Sequence, residues 1–334
     1  MTWKSHLKAD NTDWLLEDEN PSVKHFTLNT LLDKKEDDPE VKRTRNRIKT
    51  SEPVKKILSK QEKSGHWGNP EDFYVRSKYK GTVWSFLVLA ELGTGGESDS
   101  IKKAADFIFT WSQDRKSGGF SHIGSEQNGG RHSMVIPCLT GNMVYSMIRF
   151  GLLEDPRTQH ALDYITRYMR FDDGAAPPDQ WPYNRYEVCY GKHTCHMSAA
   201  KILKALAEVP EKKRTPDMEK VIEEGVEYFL IHHIHKRSHD LSKVSKPGWL
   251  RFGFPLMYQT DALDLLDIIT SLGYKDDRMQ EAVDLVIKRQ QEDGNWLMQN
   301  SFNGKMAANI ETKGKPSKWI TLRAMRSLKR FYGC

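Results

Sequence analysis

The chain carries a short motif, Gln-x-x-x-Gly-x-Trp, that occurs twice in the same form, at Gln61–Trp67 and at Gln290–Trp296. Gln113–Phe120 is a longer copy in which Phe replaces Trp. Arg170–Gly174 is a degenerate copy that lacks the Gln, and its Trp, Trp181, follows late. Along the chain, the glycines Gly65, Gly119 and Gly174 are separated by about one helix-pair length each, which is the spacing of repeat proteins. The sequence therefore predicts a fold assembled from repeated units.

The segments between these turns show the pattern of paired amphipathic helices. One helical face of the segment before the second turn is apolar, with Ile101, Ala104, Ala105, Phe107, Ile108 and Trp111. Glycine favours the left-handed conformation that ends a helix, which predicts helix ends at Gly93, Gly151 and Gly273. Asp155-Pro156 and Thr215-Pro216 are typical helix starts. Because no segment shows convincing strand alternation, we predict an all-α protein.

About six helix pairs, the last incomplete, extend over roughly residues 21–331, after an N-terminal extension at 1–20. A helix that buries one stripe needs neighbours on both sides, which a closed ring of pairs provides. The alternative is an open solenoid, which needs polar capping repeats at both ends. The last helix, Trp319 to Tyr332, is rich in apolar residues and does not resemble a polar cap. We therefore predict one domain over 1–334, an (α/α)6 toroid with inner and outer helix rings.

Charge and hydropathy narrow the classes of function. The longest apolar stretches, such as Val83–Ala90, are far shorter than the ~20 residues that span a bilayer. The N-terminus has no apolar signal region, so we expect a cytoplasmic protein without a membrane span. The net charge is +6, and the basic cluster Lys42–Arg47 follows several acidic residues, which indicates a solvated helix face rather than a phosphate or membrane patch. No nucleic-acid module is present, and nothing indicates an oligomeric state.

The repeated turns resemble the QW motifs of the squalene cyclase and protein prenyltransferase superfamily, and the resemblance extends over essentially the whole chain. It implies an (α/α)6 toroid whose mouth or cavity binds isoprenoid chains or peptides. It also implies a transferase or lyase related to terpene cyclases and prenyltransferases. The chain has no copy of the Asp-x-Asp-Asp acid of class II terpene cyclases, and it has room for only one toroid.

Cysteine and histidine residues concentrate at the predicted starts of two neighbouring inner helices. Cys189, His193, Cys195 and His196 precede or open one helix, and Cys138 opens the helix before it. Inner helices of a toroid start at the same end, with axes roughly 8–10 Å apart, so these side chains are expected to meet. Thiolate and imidazole are preferred zinc ligands.

We predict a Zn²⁺ site whose ligands are Cys138, Cys189, His193 and Cys195, with His196 as an alternative ligand or a partner of one. Four protein ligands indicate a structural zinc, and three with an open position indicate a catalytic one. The alternatives are reduced cysteines without metal and a disulfide.

Four residues near the predicted mouth are candidates for acid–base catalysis: Asp172, Asp173, Asp261 and His196. The alternative for the three aspartates is that they cap helices or fill turns. A second group of side chains combines an apolar surface with one cation, as an apolar ligand with an anionic head requires. These candidate substrate-binding residues are Trp181, Tyr183, Tyr186, Trp249, Arg251, Phe252 and Tyr258. The alternative is that they plug the barrel.

Two functions follow from these observations. The first is an enzyme of terpene cyclase or prenyltransferase type that holds an elongated, isoprenoid-like substrate at the mouth beside the Cys/His zinc site. The second is a non-catalytic, zinc-stabilised toroid that binds a peptide or protein. A third class, sugar-processing (α/α)6 enzymes, requires paired carboxylates across a groove, and the sequence indicates few inward acids.

Overall fold

The structure is a computed structural model that describes residues 2–333, and its architecture is mostly helical. Cys334, for which the sequence indicates no role, lies outside the described residues. The α-helices of the described part are α1 Thr12–Leu15, α2 Pro21–Phe26, α3 Pro39–Ile48, α4 Glu52–Leu58, α5 Thr82–Glu91, α6 Asp99–Ser112, α7 Pro137–Arg149, α8 Pro156–Tyr168, α9 Glu187–Tyr190, α10 His196–Ala207, α11 Pro216–Ile231, α12 Ala262–Ser271, α13 Gln280–Lys288 and α14 Lys318–Tyr332. Two antiparallel hairpins interrupt them, β1 Gly124–Ser125 with β2 Gly129–Gly130, and β3 Lys236–Arg237 with β4 Asp240–Val244.

The local signals in the sequence mark helix ends in the structure. Asp155 and Thr215 cap α8 and α11 with their side chains, and a proline follows each of them. Gly93, Gly151 and Gly273 have φ values of 76°, 79° and 88°, and they directly follow the last turns of α5, α7 and α12. Residues with a Cβ rarely adopt this conformation, so these glycines set where the helices stop.

The N-terminal helices differ from the sequence-based expectation in two places. The sequence pattern predicts a first helix pair, His25–Leu32 and Val41–Lys60, but the second segment is divided, since α3 ends at Ile48 and α4 begins at Glu52. Pro53 explains the break, because its ring clashes with the carbonyl four residues earlier and it has no N–H to donate. In the preceding segment, α2 ends at Phe26 and the chain continues as a π-helical turn, Thr27–Leu31.

Helices α5, α7, α10, α12 and α14 form the interior of the molecule. Every residue of α5 is buried, and α10 and α12 are buried along almost their whole length. Helices α6, α8, α11 and α13 instead bury one face each. The interior helices contact one another in the order α5, α7, α10, α12, α14, and α14 also contacts α2.

The interior helices point in the same direction, which gives this interior two distinct ends. At their N-terminal end, Asn142 Nδ2 of α7 donates to the carbonyl of Met257, which precedes α12, at 3.2 Å. At their C-terminal end, Arg149 of α7 donates to Glu208, directly after α10, at 3.4 Å. We call the first the thiol end, after Cys138, Cys189 and Cys195, and the second the charged end, after the ion pairs Arg149–Glu208 and Lys204–Glu91.

The first Gln-Gly-Trp turn joins one helix pair to the next through hydrogen bonds. The Gln61 side-chain amide donates to the carbonyls of Gly65, at 2.9 Å, and of Ser100 in α6, at 2.8 Å. Gly65, at φ 94°, packs against the backbone of α6 so closely that a Cβ would not fit. Trp67 is buried, and its indole N–H donates to the carbonyl of Ile57 in α4 at 2.7 Å. The turn therefore connects α4 to α6.

The other full copy of the turn repeats these bonds and also holds the N-terminal segment. Gln290 donates to the carbonyl of Gly294 at 3.0 Å, and the indole of Trp296 donates to the carbonyl of Val286 at 2.7 Å. The Gln290 side-chain oxygen accepts the backbone N–H of Lys8 at 2.9 Å. Residues 3–6 and α1 also contact α14, so this segment packs beside the last interior helix. Within residues 2–333 no helix is both long and apolar enough to cross a bilayer.

Candidate functional site

Three thiols meet at the thiol end. Cys138 lies in the first turn of α7, Cys189 lies in the short helix α9, and Cys195 directly precedes α10. All three are half-buried. Burial raises the pKa of Cys138 to about 12, and the neighbouring Cys195 contributes to that increase. Burial and the other two thiols raise the pKa of Cys189 to about 12 as well. Without a bound metal, the thiols of Cys138 and Cys189 are therefore protonated at neutral pH.

Tyrosines surround the thiols. Tyr74, from the loop before α5, adjoins Cys138 and stacks on the indole of Trp84 at 4.7 Å between ring centroids. The hydroxyls of Tyr164 and Tyr190 hydrogen-bond to each other next to Cys189. Burial raises the pKa of all three tyrosines above their usual value. This wall is polarizable and aromatic, and it carries no charge at neutral pH.

Exposed apolar side chains flank this wall. Val75 follows Tyr74 and is 55% exposed, and Val188 precedes Cys189 and is 84% exposed. Ile123, also exposed, follows His122, whose Nε2 is 3.0 Å from the hydroxyl of Tyr186. Single exposed apolar residues are ordinary on protein surfaces, and these three are notable only because each directly adjoins, along the chain, a residue in or next to the thiol and tyrosine cluster.

One cation, Lys78, lies beside this aromatic cluster, whereas the sequence predicts Arg251 for this role. The ammonium of Lys78 donates to the Tyr258 hydroxyl at 3.0 Å and lies 4.9 Å from the Tyr258 ring centroid and 5.4 Å from that of Tyr79. The hydrogen bond to Tyr258 raises the pKa of Lys78. Arg251, which we predicted to take this position, is exposed at the surface.

The predicted zinc ligands divide into two groups. Cys138, Cys189 and Cys195 come together, but Nδ1 of His193 is 2.9 Å from Asp173, and the His193 side chain is 61% exposed. Three thiols fit zinc by donor type. Within residues 2–333, however, no group of three or more Cys, His, Asp or Glu side chains is arranged to hold a metal ion. Zinc at this site stays a prediction.

Asp173 instead joins a cluster of histidines between α10 and α11. Its carboxylate is 3.8 Å from Nε2 of His232, in addition to its bond with His193. The His196 ring lies 4.5 Å from the His232 ring between centroids, and its buried Nε2 has no hydrogen-bond partner. Burial lowers the pKa of His196 to about 3, so this imidazole is neutral at physiological pH. A pKa this far below neutrality makes His196 a weak base, so this imidazole is suited to accepting or donating a hydrogen bond rather than to holding a proton.

The other two predicted acids are held by local partners. Asp172 forms a bidentate ion pair with Arg170, with distances of 2.7 and 2.8 Å. Asp261 caps α12, because its carboxylate accepts the backbone N–H groups of Asp264, at 2.8 Å, and Gly253, at 3.0 Å. Burial raises the pKa of Asp261 to about 7, and the neighbouring Asp264 carboxylate adds to this effect.

The predicted substrate-binding aromatics are spread over several environments. Tyr186 and Tyr258 are half-buried at the thiol end, next to Cys189 and Lys78 respectively. Trp249 and Phe252 are buried in the core. The remaining two are near α8, where Trp181 stacks on His132 at 3.9 Å and Tyr183 is largely buried.

Sequence reasoning missed a network of ionised side chains at the charged end. The buried carboxylate of Glu91, in α5, pairs with Lys204 of α10 and with Arg323 of α14, the latter at 3.2 Å. The buried carboxylate of Asp264, in α12, pairs with Lys201 at 3.1 Å and with Arg323 at 3.5 Å. These charges link four interior helices.

The network continues along α12 and α14. Asp267 accepts hydrogen bonds from Arg326, at 2.6 Å, and from Arg330, at 2.9 Å. A cavity of about 340 Å³ opens beside these groups, lined mainly from the C-terminal halves of α5, α7 and α10 and along the length of α12 and α14. The sequence did carry a signal, since acids recur three apart in the otherwise apolar α12 and arginines recur three and four apart in α14.

Comparisons with known proteins give likeness at low identity. A protein from Actinoplanes, known from a crystal structure, is 14% identical, with 93% of this chain and 89% of that chain covered and a TM-score of 0.44. The type II terpene cyclase MstE from Scytonema, without ligand, is 12% identical, with 85% and 96% covered and a TM-score of 0.33. A variant of MstE in complex with geranylgeranyl dihydroxybenzoate, its substrate, gives the same identity and coverage and a TM-score of 0.32.

No protein-family profile matches the chain, and no curated protein sequence matches it. TM-scores below 0.5 do not establish a common fold.

Proposed function

We propose that the thiol end binds a small, elongated, mainly apolar ligand of isoprenoid type. The observation that carries this proposal is the half-buried wall of Cys138, Cys189 and Tyr74, beside the exposed side chains of Val75 and Val188. An apolar chain that covers this wall removes apolar surface from water, at about 25 cal/mol for each Å². Because the thiols of Cys138 and Cys189 and the nearby tyrosines are neutral, an apolar ligand that covers them does not bury an unpaired charge.

From α5 onwards, each interior helix contacts the next interior helix along the chain, which supports an (α/α)6 toroid as the architecture of this site. In a toroid, α2, α5, α7, α10, α12 and α14 form the inner ring, and the contact between α14 and α2 is part of its closure. The N-terminal segment that packs on α14 then takes the outer position of the last pair. All inner helices start at the thiol end, which brings residues that are distant in sequence to one mouth.

The chemistry available at this mouth belongs to thiols and an imidazole. Between α10 and α11, the buried Nε2 of neutral His196 has no partner and is available to hydrogen-bond a ligand, and Asp173 orients the more exposed His193. In the enzyme that we propose, of the transferase or lyase class, these groups are the candidates for hydrogen bonding to the ligand and for proton transfer. A bound apolar chain excludes water from the wall, which strengthens any electrostatic contact made there.

The convergence of three thiols supports a second candidate function, a zinc-stabilised module that binds a peptide. Cys138, Cys189 and Cys195 would supply the sulfur ligands, and His193 would have to leave Asp173 to complete the set. A structural zinc of this kind would lower the pKa of its thiols and add to folding stability.

Ligand binding is tested with farnesol, followed by the change in intrinsic tryptophan fluorescence of the purified protein. Val188→Asp places a charge on the apolar rim, and we expect farnesol to bind about tenfold more weakly. The matched control is Leu241→Asp in strand β4, which changes an exposed apolar residue of the β3–β4 hairpin and is expected to bind as the unchanged protein does. No saturable farnesol signal, or equal loss in both variants, would contradict the proposal.

Metal analysis separates the two candidate functions. The zinc-stabilised module requires close to one zinc per chain in the purified protein, and Cys189→Ser should lose it together with thermal stability. An intact protein that contains no zinc, and whose stability does not change on addition of a chelator, would remove that candidate. It would leave the apolar-ligand proposal unaffected.

A further inference from the structure

We propose that the cavity at the charged end binds a small polyvalent oxyanion of the phosphate class. This site lies at the opposite end of the interior helices from the thiols, and it does not depend on the function proposed above. Four kinds of observation support it: the balance of charge, the unpaired donors, the size of the cavity and the geometry of its arginines.

The charged side chains that line the cavity are not balanced. Five are basic, and four are acidic. The basic ones are Arg149, Lys204, Arg323, Arg326 and Arg330, and the acidic ones are Glu91, Glu208, Asp264 and Asp267. Lys201, which is wholly buried behind Asp264, adds a further basic group.

The carboxylates are shared rather than matched one to one. Glu91, Asp264 and Asp267 each contact two cations. These three acids therefore contact five basic side chains. Because burial lowers the pKa of Lys201, the positive excess of the interior rests on the lining residues, with five basic against four acidic side chains. Uncompensated charge in a buried site is costly, and an anion in the cavity would offset it.

Two buried N–H groups among the residues that line the cavity have no hydrogen-bond partner. One is Nε of Arg149, and the other is the indole Nε1 of Trp319. Both atoms are donors only, so the group that satisfies them must be an acceptor. Within residues 2–333, no buried acceptor among the lining side chains lacks a partner. The unmet hydrogen-bonding capacity therefore calls for a ligand rich in acceptors.

The volume and the chemistry of the cavity exclude other classes of ligand. About 340 Å³ holds roughly ten waters at their share of liquid volume, which is enough for phosphate or diphosphate with part of its hydration. A metal cation would add to the positive excess, and an apolar ligand would strip water from ionised groups without replacing it. The planar guanidinium groups of Arg326 and Arg330 suit the paired oxygens of a phosphate.

Calorimetric titration at constant ionic strength tests the site, with inorganic phosphate, inorganic diphosphate and chloride as probes. We expect saturable binding of diphosphate at about 1 mM or tighter, weaker binding of phosphate and none of chloride. Arg330→Gln removes one cation but leaves Arg326 on Asp267, and we expect diphosphate to bind at least tenfold more weakly. Arg43→Gln, an exposed change on α3, is the matched control and should bind as the unchanged protein does.

Arg330→Gln could also bind diphosphate weakly because it is less stable. A thermal-shift measurement on the same proteins separates loss of stability from loss of binding. Diphosphate should raise the melting temperature of the unchanged protein and of Arg43→Gln, because a ligand that binds only the folded state stabilises it. It should raise that of Arg330→Gln much less. Absence of saturable binding to the unchanged protein, or equal weakening by both substitutions, would overturn the proposal. Neither result bears on farnesol binding at the thiol end.

Discussion

The two ends of the interior helices have opposite chemistry. At the thiol end, Cys138, Cys189 and the tyrosines around them are neutral, and exposed valines flank them. At the charged end, acids and bases from four helices pair in the interior beside a polar cavity. A core of this size needs only apolar residues to fold, so buried ion pairs are weak evidence for stability. The contrast is the reason that we propose two binding regions with different ligands.

The same contrast is found at the start of helix α12, where the pKa values of two neighbouring carboxyl groups are shifted in opposite directions. Asp261 caps the helix at the thiol end, and burial raises its pKa to about 7. Asp264 lies one turn further along, and Lys201, Lys204 and Arg323 hold its pKa well below the usual value in spite of burial. Two carboxylates of one helix are therefore shifted in opposite directions. What differs between them is the supply of cations.

The largest expected effect comes from removing a carboxylate of the buried ion-pair network. Asp264→Ala leaves Lys201 and Arg323 without one of their partners in the interior. We expect a loss of about 3–5 kcal/mol in the free energy of unfolding, measured with urea. Asp163→Ala, on the exposed face of α8, is the control and should change it by less than about 0.5 kcal/mol. A small loss for Asp264→Ala would mean that the network is not tightly coupled.

Next in size is the pH dependence that Asp261 contributes. Its pKa is raised in the folded protein, so the folded state keeps a proton that the unfolded chain releases above about pH 4. Stability from this group is therefore complete below about pH 4 and is lost as the pH rises towards 7, by on the order of 4 kcal/mol. Asp264 behaves in the opposite way, because its contribution is present above about pH 4 and is lost in acid.

Denaturation of the unchanged protein and of Asp261→Asn between pH 4 and 8 isolates the contribution of Asp261. His196, whose pKa is lowered to about 3, titrates with the opposite sign in part of this range, but it is present in both proteins and cancels in the difference. The unchanged protein should lose stability relative to Asp261→Asn as the pH rises. A difference that does not vary with pH would show that Asp261 is ionised throughout.

The thiols provide the third test, because a neutral wall requires that they be unreactive. With pKa values of about 12, Cys138 and Cys189 hold very little thiolate at pH 8. We expect iodoacetamide to modify each of them more than about a hundredfold more slowly than free cysteine, with the sites resolved by mass spectrometry. Rapid modification of metal-free protein would mean that the thiol end carries charge and that the contrast between the ends is wrong.

The smallest expected effect compares one residue type at both ends. Lys78 at the thiol end contacts Tyr258 and Tyr79 but is exposed, so Lys78→Met should cost no more than about 1 kcal/mol in the free energy of unfolding. Lys204→Met removes a buried partner of Glu91 and should cost clearly more. Equal costs in thermal or urea unfolding would contradict the different burial of charge at the two ends.

Much of the local structure was predictable because single residues determine it. Asp155 and Thr215 cap helices, and Gly93 and Gly151 end them, as their positions before proline or after apolar segments indicate. The break at Pro53 was missed, although its physical cause is visible in the sequence.

The sites were less predictable, because they depend on which helices are neighbours. The three cysteines are brought together by helix starts, which the sequence marks. The orientation of His193 depends on its bond to Asp173, which no spacing reveals. The charged interior was missed because the spacing of Asp264 in α12, and of Arg323 and Arg326 in α14, indicates buried ion pairs only once the two helices are known to face each other.

The measurement that tests the account most directly is a farnesol titration of the same protein sample, alone and saturated with diphosphate. Ligands of two separate sites with opposite chemistry should not compete, so the farnesol dissociation constant should be unchanged, and only Val188→Asp, not Arg330→Gln, should raise it. Displacement of farnesol by diphosphate, or loss of farnesol binding in Arg330→Gln, would mean that the interior has one site rather than two.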